Sequence, residues 1–158
     1  YYYKKLLYMK LLRTLFSTIN NKLRNEQKLK DLKNVLEEYE GIDWKYYVSF
    51  NDDKYRRNTV FRNDDIELII ISWNNNQTSG IHDHPGNGCL MKILQGELDE
   101  YNYEIKEKEL NLLNIRNCKA DSIGYQEGET GLHDIVNNDN KTVSLHIYSP
   151  PNYKSNRY

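Results

Sequence analysis

The sequence predicts a mainly β protein, a barrel or sandwich of short strands with an N-terminal cap of two or three helices. Three observations carry this. Apolar side chains recur at helical spacing up to Gly41, and after Asn51-Asp52-Asp53 the period shortens to that of extended chain. The extended stretches are short and are separated by clusters of Asn, Asp and Gly, which favour turns over helix.

The first helical stripe is Leu7, Leu11, Leu12, Leu15, Phe16 and Ile19, with Lys and Arg between. The second is Leu29, Leu32, Val35, Leu36 and Tyr39, ending at Gly41 as a C-terminal cap. Both read as surfaces that dock on a core; a helix presented to a partner is the less common use of such a stripe. Asp43 is placed to cap a short third helix over 44–48. Strands are expected at 55–61 and 66–73, joined by Asn63-Asp64-Asp65, and then at 90–94, 97–101 and 110–115. A further strand begins at Ser122-Ile123-Gly124. Residues 132–136 and 142–148 read as a hairpin across Asn138-Asp139-Asn140. The whole chain, 1–158, is taken as one domain, with the cap at about 4–50 and the barrel at about 54–151.

Composition narrows the function classes. The 22 Lys and Arg against 23 Asp and Glu leave a net charge of −1, so no general attraction to nucleic acid or anionic membrane is implied. Lys10 and Arg13 interrupt the apolar character of the N-terminal segment, which reads as neither a signal peptide nor a membrane span. Two cysteines, Cys89 and Cys118, do not make a disulfide framework and suit the reducing cytoplasm. Cys118 reads as a structural thiol. The lack of an initiator Met and the stop at Tyr158 suggest a fragment.

The chemistry centres on Gly80-Ile81-His82-Asp83-His84-Pro85-Gly86. On an extended strand His82 and His84 share a face, so both imidazoles enter one space and form half a metal site, with Asp83 turned away. Two surface histidines beside a turn fit the same spacing equally well. The remaining histidines, His133 and His146, also sit in strand-like segments. In the last strand Ser144, His146 and Tyr148 lie on one face and Val143, Leu145 and Ile147 on the other. A solvated polar face is the commoner arrangement; a buried hydrogen-bonding series is the sharper one.

The spacings match the two-part cupin signature: His-x-His, then a residue followed six positions later by Gly96, and a later His133-x3-Asn137. Cys89 stands where most cupins carry a metal-binding Glu. Asn76 stands where the signature has Gly, and the Pro-x-Gly before the last histidine is absent. More specifically, the chain resembles thiol dioxygenases of the cysteine dioxygenase type. The likeness lies in Tyr55-Arg56-Arg57-Asn58, Ser79-Gly80-Ile81-His82-Asp83-His84, Cys89-x-x-Lys92-x-Leu94-Gln95-Gly96, Gly131-Leu132-His133 and Ser144-Leu145-His146-Ile147-Tyr148-Ser149-Pro150-Pro151. These run in family order over about two-thirds of the chain; residues 121–130 do not align cleanly.

The resemblance implies a cupin-type, jelly-roll-like barrel without the family's C-terminal strands, and so an incompletely closed one. It implies one Fe(II) per chain on His82, His84 and His133, with Arg57 and Tyr55 for the substrate carboxylate. Cys89 and Tyr148 would be the pair that such enzymes join by a thioether, and Ser144, His146 and Tyr148 the relay behind the metal. The activity implied is conversion of L-cysteine and O₂ to cysteine sulfinic acid by a cytoplasmic monomer, in cysteine catabolism and taurine biosynthesis. Elementary chemistry agrees: three neutral imidazoles leave Fe(II) its full positive charge, which suits a thiolate ligand, and Arg57 offers a forked partner to a carboxylate. The alternatives are a dioxygenase of another small thiol such as 3-mercaptopropionate, disfavoured by Arg57, and a non-catalytic metal-binding cupin or truncated paralogue.

Overall fold

The computed structural model describes residues 11–158. Helix α1 (Leu12–Arg24), a 3-10 turn (Leu29–Leu32), helix α2 (Lys33–Glu37) and a second 3-10 turn (Asp43–Tyr47) precede nine strands. The expected start of the first helix at Leu7 lies outside the described residues. Asp43 caps a helix, but not its own. Its carboxylate accepts the Leu12 N–H of α1 at 2.8 Å and the Tyr39 hydroxyl at 2.6 Å. A carboxylate at that helix start satisfies an orphan donor and complements the macrodipole.

The strands are β1 (Arg56–Arg62), β2 (Glu67–Trp73), β3 (Gln77–Thr78), β4 (Cys89–Gln95), β5 (Glu97–Lys106), β6 (Glu109–Lys119), β7 (Ile123–Gln126), β8 (Leu132–Asn137) and β9 (Thr142–Tyr148). They form a five-stranded sheet, β1-β2-β9-β4-β7, and a four-stranded sheet, β3-β8-β5-β6. The expected hairpin of 132–136 with 142–148 is therefore corrected: β8 and β9 are consecutive but belong to different sheets. Buried Asn137 makes the corner, donating from Nδ2 to the carbonyls of Trp73 (3.2 Å), Asn74 (2.8 Å) and Asn140 (2.7 Å). Gly96 turns β4 into β5 with φ +77°; a Cβ there would overlap the Thr142 side chain. Asn76 supplies at φ +60° a left-handed turn that glycine would otherwise serve.

Every residue of β2 and β9 is buried. Leu68, Ile70, Leu90, Val143, Leu145 and Ile147 pack outward on Leu12, Leu15, Ile19, Leu32 and Leu36 of the helical cap. Ile69, Ile71, Trp73, Cys89, Met91 and Tyr148 face the other way, onto Leu98, Cys118 and Ile135 of the second sheet. The helices thus remove the solvent from one face of β9, and the opposing sheet removes it from the other.

Lys92 ties cap to sheet. It is buried, and its ammonium donates to the carbonyls of Leu36 (2.9 Å) and Tyr39 (2.8 Å) at the end of α2. Replacing it with Met would leave those acceptors without their charged donor. Lys92→Met is expected to lose on the order of 2 kcal/mol in a denaturant titration; an unchanged midpoint and slope would mean that water satisfies the carbonyls.

Candidate metal centre

His82 and His84 do not lie on a strand, as the spacing had suggested. They sit in a segment held by a reciprocal bridge to β8: His82 N–H donates to the His133 carbonyl at 3.0 Å and His133 N–H to the His82 carbonyl at 3.2 Å. Pro85, which lacks an N–H, follows at once. The bridge sets His133 beside His82, and the rings of all three histidines converge with centroids 4.4–4.9 Å apart. All three side chains are buried.

Their tautomers follow from their partners. His82 Nδ1 faces the Gly80 carbonyl at 2.8 Å, His84 Nδ1 the Gly131 carbonyl at 2.6 Å, and His133 Nδ1 the Glu100 carboxylate at 2.8 Å. Carbonyl and carboxylate oxygens only accept, so each Nδ1 carries the proton. Burial, then the neighbouring His133, pushes His82 and His84 down to about 3, so both are neutral near pH 7. With His82 and His84 neutral, their Nε2 atoms are bare lone pairs, and that of His84 lies 3.0 Å from His133 Nε2. One nitrogen from each ring lies within 4.8 Å of the others. Three converging ring nitrogens are a seat for a cation, and imidazole nitrogen suits a transition metal.

Acid should act on this site in the metal-free protein. The unfolded chain protonates its histidines near 6.5, whereas folded His82 and His84 stay neutral to about 3, and burial lowers His146 as well. Between those values the unfolded state binds more protons, so stability falls as pH drops from 6.5 towards 3. Glu100 adds a second window. Burial pushes its carboxyl up, but His133, Arg116 and Gln126 outweigh this and hold it at about 2, so its contribution is lost from about 4.5 downward. The denaturation midpoint of metal-free protein should therefore fall steadily from pH 7 to pH 4. A flat or rising midpoint would contradict the buried neutral histidines.

Asp83 faces away from the cluster but not towards water. It is fully buried and accepts from the Asn156 N–H at 2.8 Å, Asn156 Nδ2 at 2.6 Å and the Tyr153 hydroxyl at 3.0 Å. Among the described residues, the histidine cluster accordingly includes no carboxylate.

The inner face of β9 supplies the second half of the site. Ser144 Oγ lies 2.8 Å from His146 Nε2 and accepts the Trp73 indole N–H at 2.9 Å. The indole can only donate, so the serine oxygen serves both partners and ties the His146 ring to Trp73. His146 Nδ1 points the other way, at Cys89 Sγ, 3.8 Å away. The series therefore runs Trp73, Ser144, His146, Cys89. It does not continue from His146 to Tyr148; those two rings stack with centroids 6.0 Å apart. Cys89 and Tyr148 are instead directly opposed across the β4–β9 ladder, on one face of the sheet. Burial pushes the Cys89 thiol up to about 12, against the pull of Tyr148 and Arg57, so Cys89 is a neutral thiol near pH 7.

Arg57, on β1, holds its guanidinium over the Tyr148 ring, 5.2 Å from the centroid, and is exposed. Tyr55 stacks on Trp73 at 4.5 Å. Arg57, Tyr55, His82, His133, His146, Tyr148 and a second arginine, Arg157, line one cavity, so two of the three clustered histidines share it with the Arg57 guanidinium.

Comparison with known proteins decides the family. A family model described as cysteine dioxygenase type I matches residues 4–158. The chain belongs to the cysteine dioxygenase type I family. Among curated members it is 33% identical over 135 residues to cysteine dioxygenase type 1 of Rattus norvegicus and 32% to that of Homo sapiens, covering 80% of this chain and 68% of each relative. The protein of Danio rerio is 31% identical over 137 residues, covering 78% and 66%.

Solved structures agree on the fold alone. A protein with a double-stranded β-helix domain from Klebsiella pneumoniae gives a TM-score of 0.56 at 17% identity, covering 72% of this chain and 86% of that one. A cupin superfamily protein from Desulfitobacterium hafniense gives 0.51 at 13%, covering 65% and 83%. This cysteine dioxygenase family member is thus a cupin-like jelly roll, with two separate sheets in place of a closed barrel. No helix among its described residues is long and apolar enough to cross a membrane.

Sequence reasoning missed Glu100, Arg116, Gln126 and Trp73. Glu100 had a signal: it shares strand parity with Leu98, so an inward Leu98 brings it inward too. Both are buried. Trp73 gave none, since a tryptophan in an apolar strand reads as packing.

Proposed function

We propose that this chain is an Fe(II)-dependent thiol dioxygenase that converts L-cysteine and O₂ to cysteine sulfinic acid, both oxygen atoms ending on sulfur. The observation that carries the reading is a three-histidine cluster, two of whose members, His82 and His133, line the same cavity as the Arg57 guanidinium. His82, His84 and His133 would hold one iron per chain. Bound iron would supply a seat for the thiolate and the activation of O₂.

The protein's own groups do the rest. Arg57 takes the substrate carboxylate in a forked pair and so fixes which end of the molecule faces the histidines. Tyr55, stacked on Trp73, bounds the carboxylate end. Tyr148, under the guanidinium, keeps its phenol protonated because burial raises it, and so remains a hydrogen-bond donor near pH 7. Ser144 and Trp73 hold the His146 ring in one orientation, and His146 steadies the Cys89 thiol. The substrates are small molecules, and the reading includes a cytoplasmic monomer with no nucleic-acid or membrane partner.

The test is oxygen uptake by protein supplied with Fe(II), run in parallel on L-cysteine, 3-mercaptopropionate and cysteamine. Fastest uptake with cysteine, with the sulfinate as product, is expected. Preference for 3-mercaptopropionate would move the assignment to that acid, and no uptake with any thiol would leave a metal-binding cupin.

The Cys89–Tyr148 opposition supports a second element of this reading. Cys89 sulfur would bond to a Tyr148 ring carbon beside the hydroxyl, the thiol and ring hydrogens leaving with two electrons to O₂, which becomes hydrogen peroxide. The bond would fix the phenol in one rotamer, removing the ordering entropy otherwise lost at each turnover. Protein aged with iron, oxygen and cysteine should yield joined Cys89 and Tyr148 tryptic peptides, lighter by two hydrogens. Cys89→Ala should work at a reduced rate and run as a single band on a denaturing gel. If the joined peptide is missing after many turnovers, the pair does not couple.

A further inference from the structure

The histidine cluster has an asymmetry. His82 and His84 each rest their Nδ1–H on a neutral backbone carbonyl, but His133 rests its own on the Glu100 carboxylate. Glu100 is buried, and its second oxygen is held by Arg116, at 3.0 Å from Nε and 2.7 Å from Nη2. Gln126 Nε2 donates to the first oxygen at 3.2 Å and reaches across from β7 in the other sheet. Arg116 itself is half-exposed, so the chain of contacts runs from the solvent to the inside of the metal cluster.

We infer that Glu100 is a positioning residue for the metal centre, and that Arg116 sets how much of its charge reaches the metal. The inference rests on the metal reading of His82, His84 and His133. A carboxylate on Nδ1–H has two effects that a carbonyl has not. It holds the ring in the one tautomer whose Nε2 can ligate, and it makes that Nε2 a stronger donor. A ligand set of three imidazoles supplies no negative charge of its own, and Glu100 supplies one from the far side of a single ring. Arg116, pairing with the same carboxylate, withdraws part of it. The two residues should therefore act on metal affinity with opposite signs.

The test reads affinity by titration of metal-free protein with Co(II), a redox-stable stand-in for Fe(II), with thermal unfolding recorded for each variant. Glu100→Gln keeps an acceptor for His133 but removes the charge, and should weaken binding about tenfold. Glu100→Leu removes the acceptor as well and should weaken it about 100-fold. Arg116→Gln should tighten binding, by up to about fivefold as befits a half-exposed ion pair.

A merely structural network would make every variant weaker, so weaker binding in Arg116→Gln overturns the charge-setting role. Equal effects of Glu100→Gln and Glu100→Leu overturn the orienting role. Wild-type affinity in Glu100→Gln and Glu100→Leu overturns the inference while leaving the metal reading intact. Failure of the wild-type protein to bind Co(II) overturns both. Should Glu100→Leu not fold, Glu100→Gln and Arg116→Gln still carry the sign test.

Discussion

His133→Ala is expected to lose metal binding and turnover together. His133 is the hub of the cluster: its Nε2 lies 3.0 Å from that of His84, and its backbone exchanges both hydrogen bonds with His82. Alanine keeps the backbone bridge, so the segment carrying His82 and His84 stays in place while one of three donors disappears. Two imidazoles without a third ligand make a weak site, and the loss should bring turnover to background. The measurement is metal content after dialysis, beside oxygen uptake on the same sample and a circular dichroism spectrum to establish the fold. His146→Ala is the control, because His146 lines the cavity without belonging to the three-histidine cluster, its Nε2 being bonded to Ser144; it should keep its metal and turn over more slowly. Full occupancy and turnover in His133→Ala would remove this site from the account.

The second large effect belongs to Arg57. Its guanidinium lies over Tyr148 at the cavity edge, where a carboxylate can meet it in a forked pair. Arg57→Gln should reduce kcat/KM for cysteine about 30-fold, and for cysteamine, which has no carboxylate, far less. Thirty-fold corresponds to about 2 kcal/mol, the lower end for a charge pair closed off from water; Arg57 stands at the solvent edge. Equal losses on both thiols would make Arg57 a structural residue. The pairing of substrates is what separates the two roles, since a general disturbance of the cavity spares neither.

Much of this was legible in the chain. The change of period after Asn51-Asp52-Asp53 divides helices from strands where the structure does, and β1, β2 and β4 begin within a residue of their expected positions. The face of Ser144, His146 and Tyr148 was legible as a face but not as an interior. That depends on a second sheet covering it, which alternation within one strand cannot express. The β8–β9 corner was misread because a short Asn-Asp-Asn link looks like a hairpin turn. Its fate is decided by the Asn137 side chain, which binds the end of β2 from afar. Asp43 was read as a local cap because sequence pairs a capping residue with the helix that follows it, not with one 31 positions earlier. Glu100 and Arg116 escaped notice for a related reason: strand register alone brings residues 16 apart into an ion pair.

In the function proposed above, three histidines hold an iron that drives oxygenation of a thiol. That function is tested most directly by measuring iron content, oxygen consumed and sulfinate formed in one sample supplied with L-cysteine. The expected result is one iron per chain at saturation and one O₂ consumed per cysteine sulfinate, with all three quantities lost in His82→Ala, His84→Ala or His133→Ala. Sulfinate formation that persists without bound iron, or in the histidine variants, would contradict it.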